Sequence, residues 1–570
     1  MIGTTSFRLK FFPIIAMVLL LSTATTVTSQ VIYNTRLDSL RQEHVNLRFG
    51  MFIHFNMNTF NPGWGEPRVD PKTFAPTKVD CGQWARAAVS AKMKYAILTT
   101  KHHDGFALWP SKQNAPNGQP HYTVMESSYP HDIVRMFVDS MRAYKIIPCL
   151  YFSGWDAASG IPGSFADPAT VRAQWPKCST FVLGQIRELL GGTYGEIPLF
   201  VFDGYSWDMG HWAFPIETIR GLVKKLQPNC LIVDHNGACP WEVDIMYFEE
   251  PLGIQAPGGN KIASCQGQTI SGDWFWNSTA ANIGQLKSTN DILNHLSRLE
   301  PLYCNFVLNC PPNKTGVMDD AIVQRLREVG NSWNPNNSRA PMPTQPPQIE
   351  RPFTPVSATA SSNSSTAVNA IDGTNDWSGG HAQSLWTSSG NLPQSVTLDL
   401  GVVRDSIDML MYQPRRYGST VGNITSYRIY VSSNGTDFTQ ITTGTSSGSN
   451  WGSWPGDSSI KWAQFSPQKA RYVRFEAVSV TSGTSAVINT ISVGAELPCL
   501  PPVGVKREFS NTAQPADSRI RKVTLSGVSD KQISGRANTI SVYDLTGKLV
   551  EKKANIKISR KVYILRKATK

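Results

Sequence analysis

Short apolar runs alternate with longer amphipathic segments from Phe49 to about Trp333. The stretch from Pro198 to Tyr205 is typical, because it is apolar up to Phe202 and then ends in Asp203 and Gly204. A short apolar run bounded by turn residues indicates a buried strand, and apolar residues at helical spacing indicate an amphipathic helix. The alternation predicts a parallel α/β fold, and its length suits a (β/α)-barrel.

The predicted strands are Met51 to His54, Tyr95 to Thr100, Ile147 to Ser153, Leu199 to Asp203, Leu231 to Asp234, Ile245 to Glu249 and Asn305 to Asn309. The predicted helices are Gln83 to Met93, Ile133 to Tyr144, Val171 to Leu190, Pro215 to Leu226, Asp291 to Leu299 and Asp320 to Val329. A doubly wound open sheet is the alternative. It is disfavoured because no Gly-x-Gly-x-x-Gly follows the first strand to hold a dinucleotide.

Polar and aromatic side chains gather at the ends of these strands. They are His54, Trp64, Glu66, Lys101, His102, His103, Asp104, Tyr151, Trp155, Asp156, Asp203, Asp234, His235, Asn236, Glu249 and Glu250. In a parallel barrel the carboxyl ends of the strands open onto the active site. Further along, Trp274-Phe275-Trp276 offers flat surface for a sugar ring, although packing in the core explains two of these three rings at least as well.

Asp203 and Glu249 are the candidate catalytic pair, because retaining glycoside hydrolysis needs a nucleophile and an acid/base about 5 to 5.5 Å apart. Asp-Gly is also a common turn, and Glu250 competes with Glu249 for the second role. Adjacent His102 and His103 would point in opposite directions and lack a third ligand, which disfavours a metal site. Hydrogen bonding to sugar hydroxyls suits them better.

The composition changes after the predicted barrel domain, residues 30–335. Residues 336–355 are rich in proline and predict a linker, and residues 356–498 show short alternating strands that predict a β-sandwich. The tail, 505–570, carries 16 Lys or Arg against 5 Asp or Glu. The formal charge of +12 therefore lies in the tail and the amino-terminal segment, so nucleic-acid binding by the main domains has no support.

Residues 1–29 have the layout of a secretory signal, with Arg8 and Lys10 before an apolar run from Phe11 to Leu21. That run is too short to span a bilayer, so an exported protein without a membrane span is expected. Nine cysteines are present without a Cys-x-x-Cys pair, which disfavours zinc. Most are expected to be buried small apolar residues, and one or two disulfides stay open.

Three segments resemble family 29 glycoside hydrolases, the α-L-fucosidases. They are Phe49-Gly-Met-Phe-Ile-His54-Phe, Leu98-Thr-Thr-Lys-His-His-Asp-Gly-Phe-Ala-Leu-Trp-Pro110 and Asn305-Phe-Val-Leu-Asn-Cys-Pro-Pro-Asn313. The resemblance covers roughly residues 35 to 333 and implies a (β/α)-barrel and a retaining double displacement without a cofactor. It implies Asp203 as nucleophile and Glu249 as acid/base. The substrate-binding residues are then His54, Trp64, Glu66, His102, His103, Tyr151, Trp155, His235 and Trp276, with Trp276 or a neighbour facing the fucose methyl group.

Two departures from the family pattern are Val201, where many members carry tryptophan, and His235, where they carry arginine. Two alternatives therefore stay open. One is an α-L-galactosidase or an enzyme acting on sulfated fucan, with the same fold. The other is an inactive glycan-binding surface protein.

The second domain resembles discoidin, or factor 5/8 type C, modules, several of which bind carbohydrate. The likeness rests on Ala370-Ile-Asp-Gly-Thr374, Val396-Thr-Leu-Asp-Leu-Gly401 and Arg471-Tyr-Val-Arg-Phe475. It implies sugar contacts at Arg415, Arg416, Tyr417 and Trp451, and a structural calcium near Asp372. The segment Ile540-Ser-Val-Tyr-Asp544 looks like a type IX secretion sorting domain, which implies secretion machinery as a partner and a periplasmic, cell-surface or secreted location.

Overall fold

A computed structural model gives the fold, and it describes residues 36–163, 168–204, 214–235, 243–345, 349–372, 384–415, 419–441, 452–496, 539–543 and 549–554. Eight parallel strands close into a barrel in chain order. They are β1 Phe49–Ile53, β2 Tyr95–Lys101, β3 Ile147–Ser153, β4 Leu199–Asp203, β5 Leu231–Asp234, β6 Ile245–Glu249, β7 Ser264–Thr269 and β8 Cys304–Asn309. The predicted (β/α)-barrel is confirmed. All carboxyl ends therefore meet at one mouth.

The described helices lie between the strands. They are α1 Cys81–Ser90, α2 Ile133–Ala143, α3 Pro168–Leu190, α4 Ile216–Leu226, α5 Thr289–Leu299 and α6 Asp320–Ser332. Aspartates begin the first two, since the side chains of Asp80 and Asp132 accept the backbone N–H of the third helical residue. The predicted helices match these within a few residues, and residues 36–45 are also helical.

Strand β7 was not among the predicted strands. Its sequence, Ser-Cys-Gln-Gly-Gln-Thr, has almost no apolar character, yet every one of its residues is buried. Partners inside the fold satisfy its polar groups, because the Gln266 carboxamide accepts the backbone N–H of Ala256 and donates to Glu250. Backbone pairing with β6 on one side and β8 on the other holds the strand in place, so β7 forms without a periodic pattern of apolar residues.

A buried charge network fixes the start of β6. The fully buried carboxylate of Asp244 contacts Arg220 at 2.9 Å and Lys224 at 2.5 Å, both from α4. Arg41 adds a hydrogen bond to the Asp244 carbonyl. Burial alone would raise the pKa of Asp244, but these cations bring it well below the ordinary value. The strand that ends in Glu249 is thus tied to the helical layer.

The second domain is antiparallel β structure, as predicted. Its strands are β9 Ile349–Pro352, β10 Ser357–Ala360, β11 Trp386–Thr387, β12 Gln394–Gln413, β13 Ile424–Ser432, β14 Thr439–Ile441, β15 Gly452–Ser453, β16 Lys461–Val480, β17 Val487–Ile488 and β18 Thr490–Glu496. The main sheet runs β14-β13-β16-β12-β18-β9. Register shifts in the β12–β16 pair mark bulges, which bend long strands. This allows one sheet to wrap a core that includes Trp386, Tyr412 and Phe475.

The sandwich packs directly on the barrel. Between β6 and β7, a fully described connection, there is no α-helix, only the short 3₁₀ helix Glu250–Leu252. At Gly259 in this connection an added Cβ would lie 2.5 Å from Asp457 of the sandwich. Met409 and Met411 on β12 are buried in the barrel's cluster, whereas Leu410 and Tyr412 face the sandwich core. Successive side chains on a strand point to opposite faces, so alternate residues of β12 contact the barrel and the sandwich core.

The proline-rich segment 336–345 lies against the barrel. Arg339 pairs with Glu300 at 3.6 Å, and the Gln345 side chain accepts the N–H of Ala263. β9 then begins inside the predicted linker and pairs with β18. The segment is therefore part of the packed structure rather than a loose tether.

The barrel and the sandwich lie in one compact unit, Met1–Leu500, and a second unit, Pro501–Lys570, contains the paired strands β19 Thr539–Tyr543 and β20 Leu549–Ala554. The predicted signal segment and most of the basic tail lie outside the described residues. Within the described parts, no helix is long and apolar enough to cross a membrane. All seven described cysteines are buried, and Cys239 and Cys499 lie outside the described residues.

Candidate active site

Each of the eight strands supplies a side chain at or just beyond its carboxyl end. These residues are His54 after β1, His102 and His103 after β2, Tyr151 and Ser153 on β3, Asp203 on β4, His235 after β5, Glu249 on β6, Trp274 after β7 and Asn309 on β8. All are buried. The structure therefore brings most of the predicted site residues into one cluster at the barrel mouth.

Asp203 sits at the centre of this cluster as a carboxylate. Its Oδ2 accepts the Tyr151 hydroxyl at 2.5 Å and its Oδ1 accepts the Gly204 N–H at 2.6 Å. Burial raises its pKa, but His235, His103 and these two hydrogen bonds outweigh burial, so the net direction is downward. Gly204 is required here, because its φ is +109° and a Cβ would lie 2.3 Å from the Trp155 nitrogen.

Glu249 has the opposite electrostatics. Burial first, and the charge of Asp203 second, raise its pKa well above the ordinary value, although a hydrogen bond from Trp274 opposes this. The Trp274 indole N–H donates to Glu249 Oε1 at 3.1 Å. Two carboxyl groups with pKa values driven apart in this way can serve as a base or nucleophile and as an acid.

His235 lies between the two carboxyl groups. Its Nδ1 is 3.5 Å from Asp203 Oδ1 and 3.7 Å from Glu249 Oε2. The separation of Asp203 Oδ1 and Glu249 Oε2 therefore cannot exceed the sum of these two distances. Retaining glycosidases separate their carboxyls by about 5 to 5.5 Å and inverting ones by about 6.5 to 9.5 Å. This upper limit admits the retaining separation.

Glu250 points away from this pair. It accepts hydrogen bonds from His295 Nε2 at 2.8 Å and from Gln266, and Arg298 lies 3.8 Å away. The burial of Glu250 raises its pKa, but these partners bring it below the ordinary value. Glu250 is thus engaged in an ion pair beside the barrel wall.

Three histidines line the pocket in their neutral form. Burial lowers the pKa of His54 to about 3 and of His103 to about 4, and that of His102 falls well below its usual value. His54 Nδ1 lies 2.8 Å from the Asn309 carboxamide oxygen, which can only accept. Nδ1 of His54 must therefore carry the proton, which leaves Nε2 as a hydrogen-bond acceptor.

The tautomer of His103 is fixed by its hydrogen bond to Ser153. Ser153 donates its hydroxyl to the Trp155 carbonyl, so its oxygen accepts the proton on His103 Nδ1 at 2.8 Å. His103 Nε2, 3.9 Å from Asp203 Oδ2, is then an acceptor. His102 Nδ1 is buried without a hydrogen-bond partner among the described residues. Buried polar atoms are usually satisfied, so this atom points to a ligand.

Aromatic rings form the walls of the pocket. Trp155 stacks on His103 at 4.8 Å, and Phe275 meets His54 and His102 edge-on at 5.3 and 4.9 Å. Trp64 lies 5.2 Å from His102 and is 48% exposed, which places it at the rim. Neutral acceptors and flat rings are the groups that recognise a sugar's hydroxyls and its C–H face.

Comparison with known proteins assigns these domains. Residues 69–338 match the family model described as alpha-L-fucosidase. The barrel is an alpha-L-fucosidase family domain. It is therefore a glycoside hydrolase domain, as the sequence motifs imply. Residues 356–491 match the F5/8 type C domain, which agrees with the antiparallel second domain.

Relatives of the alpha-L-fucosidase domain include plant and bacterial proteins. Alpha-L-fucosidase 1 of Arabidopsis thaliana is 27% identical over 322 residues, 50% of this chain and 58% of its own length. A relative from Oryza sativa subsp. japonica is 28% identical over 309 residues, 49% and 55% respectively. The chain thus spans little more than half the length of these relatives. A Ruminococcus gnavus GH29 fucosidase in complex with fucose is 19% identical, with a TM-score of 0.43 and coverage of 80% and 94%.

Two predicted residues of the alpha-L-fucosidase domain lie apart from the buried cluster. Glu66 is exposed and packs against Gly63. Trp276 directs its indole N–H to Asp319 at 2.6 Å, so its neighbours Trp274 and Phe275 face the histidines instead. The tryptophan run was visible in the sequence. Its spacing could not tell which ring turns inward.

The structure adds to the cluster Ser153 and Asn309, for which no role in this site was predicted, and it shows that Trp274 and Phe275 are the inward members of the predicted aromatic run. Tyr247 also joins it, since its ring stacks under His235 at 4.2 Å. Gly267 makes this placement feasible, because a Cβ there would lie 1.6 Å from the Tyr247 hydroxyl. For Asn309 the available signal was the motif from Asn305 to Asn313, which contains it.

In the F5/8 type C domain the predicted sugar contacts Arg416, Tyr417 and Trp451 lie outside the described residues, and Arg415 is half-buried. Asp372 accepts a hydrogen bond from Ser384. Calcium takes about six to eight oxygen ligands, more than this pair supplies, and residues 373–383 lie outside the description. Among the described residues, no group of three or more His, Cys, Asp or Glu is placed to hold a metal ion.

Proposed function

We propose that this chain is an exported, retaining exo-glycosidase that releases terminal α-L-fucose from glycans. One observation carries the proposal. Asp203 and Glu249 approach the same His235 nitrogen, and their pKa values are shifted in opposite directions. This supplies an anionic nucleophile and a protonated acid within one pocket.

In the proposed first step, Asp203 attacks the anomeric carbon while the Glu249 proton moves to the glycosidic oxygen. The bond to the leaving alcohol breaks, and a fucosyl ester forms on Asp203. In the second step Glu249, now a carboxylate, takes a proton from water as that water attacks the same carbon. The ester breaks, Asp203 is regenerated, and the configuration is retained.

The histidines are proposed to recognise the sugar's hydroxyls. His54 Nε2 and His103 Nε2 are acceptors because the proton of each ring lies on Nδ1. The buried His102 Nδ1 lacks a partner among the described residues. In their neutral form these three rings add no positive charge beside the sugar, and Asp203 supplies a negative charge. Such a field favours the positive charge that develops on the sugar ring in the transition state.

The remaining parts of the proposal concern delivery and location. The F5/8 type C domain would hold a fucosylated glycan near the barrel. The amino-terminal signal and the basic tail would direct export through secretion machinery to the periplasm, the cell surface or the medium. These roles rest on residues 1–29 and 505–570 and on the domain match.

The test is hydrolysis of an aryl α-L-fucoside by variants of the two carboxyl groups. Asp203→Gly should lose activity by several orders of magnitude, and azide should restore part of it as a fucosyl azide. Glu249→Gln should be strongly impaired, whereas the matched neighbour Glu250→Gln should keep turnover close to that of the unaltered protein. An active Asp203→Gly protein would refute the proposal. A panel of α-L-galactosides and sulfated fucans separates the alternatives.

A further inference from the structure

The indole of Trp274 holds one oxygen of Glu249. Its N–H donates to Oε1 at 3.1 Å, and the other oxygen, Oε2, faces His235. Trp274 is 6% exposed, so water offers little competition for this bond. A glutamate has three rotatable bonds, and a single fixed donor removes much of that freedom. The indole therefore orients the carboxyl group in the pocket.

Asn309 in turn fixes the backbone that carries Trp274. Its side-chain N–H donates to the Trp274 carbonyl at 2.7 Å, while its oxygen accepts His54 Nδ1–H at 2.8 Å. Asn309 is the last residue of β8 and is fully buried. One carboxamide thus joins the segment after β7 to a rigid strand and to the histidine after β1.

These contacts form a chain from Asn309 through Trp274 to Glu249. No other hydrogen bond from a described side chain to the Glu249 carboxyl is recorded in the structure, whereas Asp203 accepts bonds from both Tyr151 and Gly204. The orientation of Glu249 depends on one donor far more than that of Asp203 does. Disturbing this donor should affect proton transfer selectively.

We propose that Trp274 and Asn309 are positioning residues that aim the carboxyl group of Glu249 at the glycosidic oxygen. The inference rests on the proposed function, because it gives these residues a role only if Glu249 is the acid/base. Neither residue exchanges a proton or a covalent bond with the substrate. Their effect on proton transfer to the glycosidic oxygen passes through Glu249.

The chemistry of the leaving group distinguishes this role from a structural one. A poor leaving group, such as phenol, needs a well-aimed acid, whereas dinitrophenol leaves without much protonation. Loss of aim should therefore slow the phenyl fucoside far more than the dinitrophenyl fucoside. A general loss of packing would slow both substrates alike.

The first variant is Trp274→Phe, which removes the N–H and keeps an aromatic ring. For the phenyl fucoside we expect kcat/KM to fall about 10- to 100-fold, against about threefold or less for the dinitrophenyl fucoside. The matched control is Trp109→Phe, since the Trp109 indole also donates to a glutamate, Glu188, at 2.9 Å but lies away from the cluster. In Trp109→Phe, kcat/KM should change by the same factor for both fucosides.

The second variant is Asn309→Ala, alone and combined with Trp274→Phe. Alone, it should show the same leaving-group dependence and also a higher KM, because His54 loses the partner that fixes its tautomer. In the double variant, the loss of kcat/KM on the phenyl fucoside relative to the loss on the dinitrophenyl fucoside should be no larger than in Trp274→Phe. Both residues act on proton transfer through the same bond, from the Trp274 indole to Glu249.

Two results would overturn the inference. One is an equal loss on both substrates in Trp274→Phe, and the other is a multiplied leaving-group effect in the double variant. Asp203→Gly separates these from failure of the proposed function. If Asp203→Gly is inactive and rescued by azide while Trp274→Phe shows no leaving-group dependence, only the positioning role is wrong.

Discussion

The contact between barrel and sandwich predicts that the second domain stabilises the first. Met409 and Met411 on β12 are completely buried in the barrel's hydrophobic cluster. Replacing a buried methionine by alanine typically costs about 2 to 5 kcal/mol, from lost burial and the cavity left behind. The double variant Met409→Ala/Met411→Ala should therefore lose at least several kcal/mol.

For domains of about 150 to 250 residues, one kcal/mol lowers Tm by about 2 to 4 °C. We expect the thermal inactivation temperature of the double variant to fall by on the order of 10 °C. The assay is residual hydrolysis of an aryl fucoside after heating, which reports on the barrel alone. Leu410→Ala is the control on the same strand, because Leu410 faces the sandwich core.

Leu410→Ala should unfold the sandwich at lower temperature, seen by circular dichroism, with a smaller effect on inactivation of the barrel. If the double variant inactivates at the same temperature as the unaltered protein, the methionines do not cover the barrel in the way described.

Further predictions concern charge and packing around the site. Asp244→Asn should lower the free energy of unfolding by about 3 to 5 kcal/mol in urea titration, because two buried cations lose their counter-ion. His295 has a raised pKa and Glu250 a lowered one, so their pair stabilises fully between about pH 4.5 and 6.5. The stability lost in His295→Gln should be largest there, and should shrink at higher pH as the histidine deprotonates and at lower pH as the glutamate protonates. Gly267→Ala should reduce activity sharply, because its methyl group would displace Tyr247 beneath His235.

Much of the barrel could be predicted because most of its strands are apolar and end in polar residues. Leu199–Asp203 and Ile245–Glu249 follow that pattern, and both predicted strands agree with the structure. β7 could not be found in this way, since its buried polar side chains are satisfied by partners distant in sequence. Tertiary pairing overrides local pattern in such a strand.

Some residues of the candidate site could be predicted from the sequence and others could not. Asp203, Glu249 and the three histidines could be proposed from their places at strand ends. The inward ring of the aromatic run could not, because the segment after β7 is irregular and its direction depends on the bond from Asn309 to the Trp274 carbonyl. The separate environments of Glu249 and Glu250 depend equally on distant partners, Trp274 for one and His295 for the other.

The claim that Asp203 is the nucleophile can be tested most directly by trapping its ester. A 2-deoxy-2-fluoro-α-L-fucosyl fluoride should inactivate the protein, because the fluorine at C2 slows both formation and hydrolysis of the glycosyl ester, whereas the fluoride leaving group speeds formation only, so the ester accumulates. Peptide mass spectrometry should then locate one fluorofucosyl group on Asp203. A label on Glu249 or on any other residue, or a β-L-fucose first product from an α-L-fucoside in proton NMR, would contradict the account.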